Sequence, residues 1–348
     1  MNEQADSADA AYRFVVTSNR GFAAYAQDEL RALVPGTKFE ELAAGETYVM
    51  RIPLGRDEAI RRIVRHEPIF LRHMHPIDRT VPCGGTNADM RAIADAIGDM
   101  FPAGERSAAI HIRRTEKWKG GFESGELRTA IVEKLQSFGT ETVVKDANRI
   151  VSVFLTPDVA YIGVSAPADN LSDWPGGAVR FRKEEGQASR AKFKLLEAEY
   201  AFGLDLADYK KALDIGAAPG GWTSLLLERG AEVTAVDPAD LHPELLSHPK
   251  LTFLKRNAGD VQFREHSYDL LVCDMSWSPR QMVKLLVPLL NALKPGGDAI
   301  VTLKLMHGKP FQTVKDSVRA MQPTMELRKA KQLFHNRDEL TVYLRKSR

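Results

Sequence analysis

Cysteine is scarce in this chain of 348 residues: there are two, Cys83 and Cys273, far apart in sequence. That excludes a disulfide framework and a zinc-binding cysteine pattern, and it fits a reducing compartment. Long apolar runs are missing too. No stretch approaches the roughly 18 apolar residues that a bilayer-spanning helix needs. The N-terminal MNEQADSADAAY is acidic and lacks the basic-then-apolar layout of a signal peptide. A cytoplasmic location is the expectation. An excess of one charge is also absent, since 48 Lys and Arg against 46 Asp and Glu leave a net charge of +2. Such a balance neither announces nor excludes a nucleic-acid partner, so local clusters must decide. No internal repeat or low-complexity block marks a solenoid.

What remains is an ordinary globular composition, 44% apolar and 27% charged, long enough for two or three domains. Residues 1–12 read as a disordered tail. RFVVTS and ETYVMRIP read as strands, and GFAAYAQDELRALV and RDEAIRRIVRH as amphipathic helices. This alternation predicts a small ferredoxin-like α+β domain over 13–84. A similar series over 85–170 gives helix NADMRAIADAIGDMF, strand SAAIHIRRT, helix GELRTAIVEKLQSFG, and two strands around the Pro157-Asp158 turn. The Pro-, Gly- and charge-rich stretch 171–188 reads as a linker. From residue 189 the rhythm becomes strand–helix–strand, predicting a parallel α/β sheet. Its strands are expected at Lys211–Ile215, Glu232–Val236, Leu251–Leu254, Tyr268–Cys273 and Asp298–Leu303, with a last one in ELTVYLRK. Helices are expected at Trp222–Arg229 and at Pro279–Leu293, the latter ended by KPGG.

The segment LDIGAAPGGWTSLLLERGAEVTAVDPAD carries the first chemical signal. Gly216, Gly220 and Gly221 permit a tight turn and close backbone approach between a strand and a helix start. Asp237, ending the next strand, is placed to accept hydrogen bonds from two ribose hydroxyls. The spacing is not GxGxxG and Pro219 interrupts it, which argues against a nicotinamide dinucleotide. No GxxxxGK[ST] segment is present for a nucleoside triphosphate. An ordinary strand-to-helix turn also uses glycine. Against that reading, Asp237 and the later DMSW segment both fall at the carboxyl ends of expected strands, where open α/β sheets bind ligands.

DIGAAPGGW resembles the first motif of the FtsJ (RrmJ) type of S-adenosylmethionine-dependent methyltransferases, which act on ribose 2′-hydroxyls of RNA. The resemblance implies a Rossmann-like class I domain with a mostly parallel seven-stranded sheet over 189–348. It implies S-adenosylmethionine as cofactor, contacted by Asp214, Gly216, Pro219, Gly220, Gly221, Trp222, Asp237 and Asp274. Where the family has an acid for the adenine amino group, LTFLKRNAGD offers Asn257, an amide whose carbonyl can still accept the bond. The family's K-D-K-E catalytic tetrad has a counterpart at each member. SRAKFKLLEAE supplies Lys194, LLVCDMSW Asp274, GGDAIVTLKLMHG Lys304 and FHNRDELTVYLRK Glu339.

The chemistry explains why such groups are wanted. A ribose hydroxyl is a poor nucleophile that must be aligned and relieved of its proton. A lysine is protonated at neutral pH, with pKa about 10.4. A neighbouring cation and partial burial favour its neutral form, whereas Asp274 and Glu339 oppose it while orienting the ammonium groups. Singly, Lys194 and Glu339 also read as surface charges. Lys304 ends the buried-strand run AIVTL, where a lysine is harder to explain structurally. No [ND]PP[YF] segment is present for methylation of an amine. The two cysteines are not the pair expected for carbon-5 pyrimidine methylation.

Two strips are basic and aromatic. RFRKEEGQASRAKFK, residues 180–194, offers Arg180, Arg182, Lys183 and Arg190 to phosphates, with two Phe interleaved for stacking on an unpaired base; a solvated linker is the other reading. IHIRRTEKWKGGF offers Arg113, Arg114, Lys117 and Lys119, with Trp118 and Phe122 as stacking candidates and core packing favoured for Phe122. His75 and His335 lack partners at metal-ligand spacing, so no metal is expected. VSVFLTPDVAYIGVS closes a segment that resembles a THUMP RNA-binding domain. With DNLSDWPGG and AKQLFHNRDELTVYLR, the chain resembles the RlmM group, cytidine 2′-O-methyltransferases of large-subunit (23S) rRNA. That resemblance implies an RNA partner met before ribosome assembly is complete. The alternatives are 2′-O-methylation of tRNA or another rRNA site, and a non-catalytic RNA-binding assembly factor. An intact tetrad argues against the last.

Overall fold

The computed structural model describes residues 11–182, 189–305 and 308–348. The chain divides into two compact units, residues 1–179 and 180–348.

In the first unit, the chain runs β1 (Tyr12–Thr17), α1 (Ala23–Leu33), β2 (Lys38–Ala43), β3 (Thr47–Ile52), α2 (Arg56–His66) and β4 (His73–Pro76). These strands make a four-stranded sheet, β2-β3-β1-β4, with β1 antiparallel to both neighbours. Tyr12 already pairs with Ile52, so the strand starts inside the stretch expected to be a tail. Phe14, Val16, Met50 and Ile52 point to one face and meet Leu30, Ile60 and Ile63 of the helices. This is the period-two and period-3.6 matching that buries one sheet face. α2 carries Asp57 and Glu58 in its first turn and Arg65 and His66 in its last, complementing its dipole.

The unit continues with β5 (Arg79–Pro82), α3 (Asn87–Met100), β6 (Ser107–Arg114), α4 (Ser124–Gln136), β7 (Glu141–Thr142), β8 (Arg149–Leu155) and β9 (Val159–Ser165). They form a five-stranded sheet, β5-β9-β8-β6-β7. Because β5 pairs with β9, this sheet begins before the boundary expected at residue 85. Thr86 and Asp89 close a capping box at the start of α3. Trp118 and Phe122 lie edge to face, with centroids 5.3 Å apart, inside the core with Ile97, Leu127 and Val153. Neither ring is available to stack on a base.

The second unit runs α5 (Lys192–Phe202), β10 (Lys211–Ile215), α6 (Gly221–Glu228), β11 (Glu232–Val236), α7 (Pro243–Leu246), β12 (Leu251–Leu254), β13 (Tyr268–Cys273), α8 (Pro279–Leu289), β14 (Leu293–Lys304), α9 (Pro310–Met321), β15 (Met325–Lys331) and β16 (Glu339–Lys346). The sheet has seven strands in the order β12-β11-β10-β13-β14-β16-β15. β10 to β14 are parallel, and β16 lies antiparallel between β14 and β15. Leu213, Ile215, Leu271, Val272, Ile300 and Val301 are fully buried, as central parallel strands require. β11 lies on one side of β10 and β13 on the other, so strand order reverses at β10. That switch point is where such sheets bind ligands.

The last parallel strand differs from its expectation. The helical run ends at Ala292, where a 3-10 turn (Leu290–Ala292) closes α8, one residue before the expected end. KPGG itself lies in β14, which begins at Leu293, five residues before the expected start. The backbone there is extended and Leu293 pairs with Tyr268. Among the described residues no helix is long and apolar enough to cross a membrane.

Candidate active site

The turn after β10 is built on positive backbone angles, with φ of +75° at Gly216 and +109° at Gly220. A side chain at Gly216 would also collide with Met275, whose Cγ lies 2.2 Å from the position of a Cβ. Glycine there leaves the turn's backbone bare and close to the end of β13. Gly216 N and Ala217 N both donate to the Val236 carbonyl, at 2.9 and 3.3 Å, tying the turn to β11. Asp237 follows directly. Its Oδ2 accepts from Ala218 N at 3.1 Å and its Oδ1 from Ala239 N at 2.7 Å. Both oxygens keep lone pairs for further donors, such as ribose hydroxyls.

The other expected cofactor residues separate into two groups. Asp214 is 1% exposed, and its Oδ2 accepts from Thr223 Oγ1 at 2.6 Å. Burial, with added repulsion from Asp274 and Asp237, pushes its carboxyl up to about 7. Trp222 is buried, and its Nε1 donates to Ala191 O at 2.9 Å, fastening α6 to the start of α5. Gly221 packs against Ser189 and the Lys192 backbone. These three shape the turn from behind. Pro219 and Asn257 are exposed, and Asn257 Nδ2 donates to Asp260 Oδ2 at 3.4 Å.

Three of the tetrad carboxylates and amines converge. Lys194 Nζ, on the first turn of α5, lies 3.0 and 3.2 Å from the two oxygens of Asp274, at the end of β13. It also pairs with Glu339 Oε1, at the start of β16. Their side chains are 18%, 13% and 15% exposed. Burial alone would lower the ammonium's pKa, but Asp274 and Glu339 outweigh it and hold it above the ordinary lysine value. Asp274 is itself raised, by burial first and by the Glu339 charge, against the pull of Lys194. Two carboxylates and one ammonium leave an excess of negative charge at the carboxyl end of the sheet. Lys304 ends β14 directly opposite Glu339 in the register, and its side chain is exposed. The partial burial expected of it is not there, because the strand ends at that residue.

The basic residues divide as well. Arg180, Arg182 and Arg190 are exposed in the second unit, while Lys183 lies outside the described residues. In the first unit Lys117 and Lys119 are exposed, and Arg114 pairs with Glu123 at 3.3 Å. Arg113 is only partly exposed. Its guanidinium sits 5.3 Å from the Phe154 ring centroid, donates to Thr47 Oγ1 at 3.1 Å and abuts Gly176. Burial pulls its pKa down to about 10. That placement ties the Arg113 guanidinium to packing within the first unit.

Sequence reasoning missed a further network. Glu197, three residues after Lys194 on α5, is buried and accepts from Phe334 N at 2.6 Å, His335 N at 2.9 Å and His335 Nδ1 at 2.7 Å. It thereby fixes the loop that delivers Glu339 to Lys194. Its only local signal is a glutamate on the apolar face of a helix.

Residues 187–333 match the family model of FtsJ-like methyltransferases. That match covers most of the second unit, residues 180–348. Proteins named Ribosomal RNA large subunit methyltransferase M are similar over longer stretches. That of Laribacter hongkongensis is 28% identical over 351 residues, covering 95% of this chain and 96% of that protein. That of Cellvibrio japonicus is 29% identical, covering 89% and 90%. The Halorhodospira halophila protein is 37% identical over 177 residues, a match spanning about half of each chain, 50% and 51%. The methyl donor of an FtsJ-like domain is S-adenosylmethionine, and the site fits it. The bare Gly216 turn, the oriented Asp237 carboxylate and the negative cluster suit, respectively, a closely held amino-acid moiety, a ribose and a sulfonium cation.

Proposed function

We propose that the chain transfers a methyl group from S-adenosylmethionine to a ribose 2′-hydroxyl of large-subunit rRNA, with a cytidine of 23S rRNA as the target. The observation that carries this reading is the Lys194–Asp274–Glu339 cluster with Lys304 across from Glu339. The cofactor supplies a methyl group already activated by its sulfonium. The protein's residues align the acceptor and manage its proton. Gly216, Gly220 and Asp237 hold the donor side. Lys194, kept as an ammonium by two carboxylates, donates hydrogen bonds and fixes Asp274 and Glu339. Lys304, outside that ion cluster and exposed at the strand end, is the lysine placed to receive the hydroxyl proton, a role it fills only as the neutral amine.

The first unit serves docking of the RNA, and its five-stranded part is the THUMP-like module. Lys117 and Lys119 of the first unit and Arg180, Arg182 and Arg190 of the second supply the phosphate contacts. The substrate is rRNA still accessible before the large subunit is complete, and the reaction is cytoplasmic. Mapping ribose methylation in 23S rRNA with and without the gene tests the reading. One cytidine is expected to lose its 2′-O-methyl group without the gene and regain it when purified protein and S-adenosylmethionine are added to that RNA. An unchanged map would refute it.

A further inference from the structure

We infer that Phe181, Phe193 and His335 form a stacking platform for an unpaired nucleobase of the RNA, beside the Lys194–Asp274–Glu339 cluster. The three rings gather from distant parts of the second unit. Phe181 lies 5.7 Å from Phe193 and 5.6 Å from His335 between centroids, at interplanar angles of 28° and 22°. Phe193 and His335 are 5.5 Å apart. None of the three is fully buried. A core pair of the same unit looks different: Phe202 and Tyr343 also stack, but both are buried.

The rings are anchored to the candidate catalytic groups. Phe193 immediately precedes Lys194 on α5, and His335 stands four residues before Glu339. Buried Glu197 receives the His335 imidazole and two backbone amides, so one helix holds both the ring and the loop leading to Glu339. The surroundings choose the occupant. Arg180 and Arg182 flank Phe181, Arg190 lies just before α5, and all three are exposed. Partly exposed rings among cations fit a base on an anionic backbone, rather than an apolar peptide or a lipid tail. Stacking of this kind tolerates any base, so the platform positions a nucleotide near the methyl acceptor without reading its identity. The inference rests on the reading of the chain as an RNA-modifying enzyme.

Phe181 is the ring to change, because Phe181→Leu keeps apolar volume while removing the π face, and Phe181→Trp keeps it. The full-length protein is titrated into a single-stranded RNA carrying 2-aminopurine, whose fluorescence falls on stacking. Methylation kinetics on 23S rRNA from a strain lacking the gene are measured alongside. Phe181→Leu is expected to weaken quenching and raise KM for RNA about 10-fold, the lower part of the range for losing one base stack. Its kcat and cofactor affinity stay near wild type, and Phe181→Trp restores KM. Equal quenching and equal KM for the Leu variant would overturn the platform. Ring-dependent quenching without any ribose methylation by the wild type would support the platform and defeat the proposed reaction instead.

Discussion

The two units bury polar residues in opposite ways. In the first, Arg72, His73, His75 and His111 are buried and Arg113 is packed against Phe154. Arg72 and His75 bond to backbone carbonyls, whereas both ring nitrogens of His73 and Nδ1 of His111 have no hydrogen-bond partner among the described residues. Burial pushes His75 and His111 down to about 4, so they stay neutral at ordinary pH and serve as packing. In the second, Lys194, Asp274 and Glu339 come from three separated segments to one end of a parallel sheet. There they leave a net negative cluster next to a bare glycine turn. Burial of charge is costly in either place. Of the two, the second gathers its charges at the carboxyl end of a parallel sheet, beside the switch point where such sheets bind ligands.

The contrast is sharpest at Lys304. Lys304→Ala is expected to lower the rate of methyl transfer by roughly 10²–10⁴-fold, the usual worth of a proton-transfer group. S-adenosylmethionine binding, measured by calorimetry, should be unaltered. Full activity in this variant would assign the proton to another group and leave Lys304 a strand-end residue.

Asp214 tests whether the buried acid supports the turn or meets the ligand. The folded chain keeps its proton up to about pH 7, whereas an unfolded aspartate releases it near 3.9. The folded state therefore binds more protons in that interval, and stability falls as pH rises from about 4 to 7. Asp214→Asn should flatten this slope, gaining at most roughly 4 kcal/mol over wild type above pH 7. Denaturant titrations at pH 4.5 and 8 with identical slopes for both proteins would refute the assignment.

Asp237 should behave differently, since it lies at the open end of β11. Asp237→Ala is expected to weaken cofactor binding by roughly 1–3 kcal/mol, the penalty for unpaired ribose hydroxyls. A smaller effect is expected in the first unit. Charge reversal of Lys117 and Lys119 should reduce RNA affinity modestly and lower its salt dependence by about one unit for each phosphate no longer neutralised. Arg113→Ala should instead lower the thermal midpoint without changing that salt dependence. If the two effects were exchanged, the division between packing residues and phosphate-binding residues would be wrong.

Much of the second unit was legible in the sequence, and the reason is physical. β10, β11, β12 and β13 begin and end at the expected residues, because short apolar runs bounded by turn residues are what parallel strands leave in a sequence. The convergence of Lys194, Asp274 and Glu339 was legible because their motifs lie at strand ends or just before the first strand of that sheet. β15 was not, since MELRKAK mixes charge into an edge strand. β4 was hidden by its composition, HMHP, which reads as polar although every residue is buried. The IHIRRTEKWKGGF strip mixes roles for a related reason: composition does not tell an arginine packed on a ring from one facing solvent. β6 is covered where Arg113 meets Phe154, and only the three-dimensional packing reveals it. The Glu197–His335 bond joins residues 138 positions apart, beyond any local pattern.

The central claim concerns which atom receives the methyl group. The most direct measurement compares methyl incorporation into a target RNA with incorporation into the same RNA carrying a single 2′-deoxy nucleotide at the modified position. The expected result is full incorporation in the first, none in the second, and a nuclease-resistant 2′-O-methyl ribose identified by mass spectrometry. Equal incorporation into both RNAs, with the methyl group found on a base, would contradict the account.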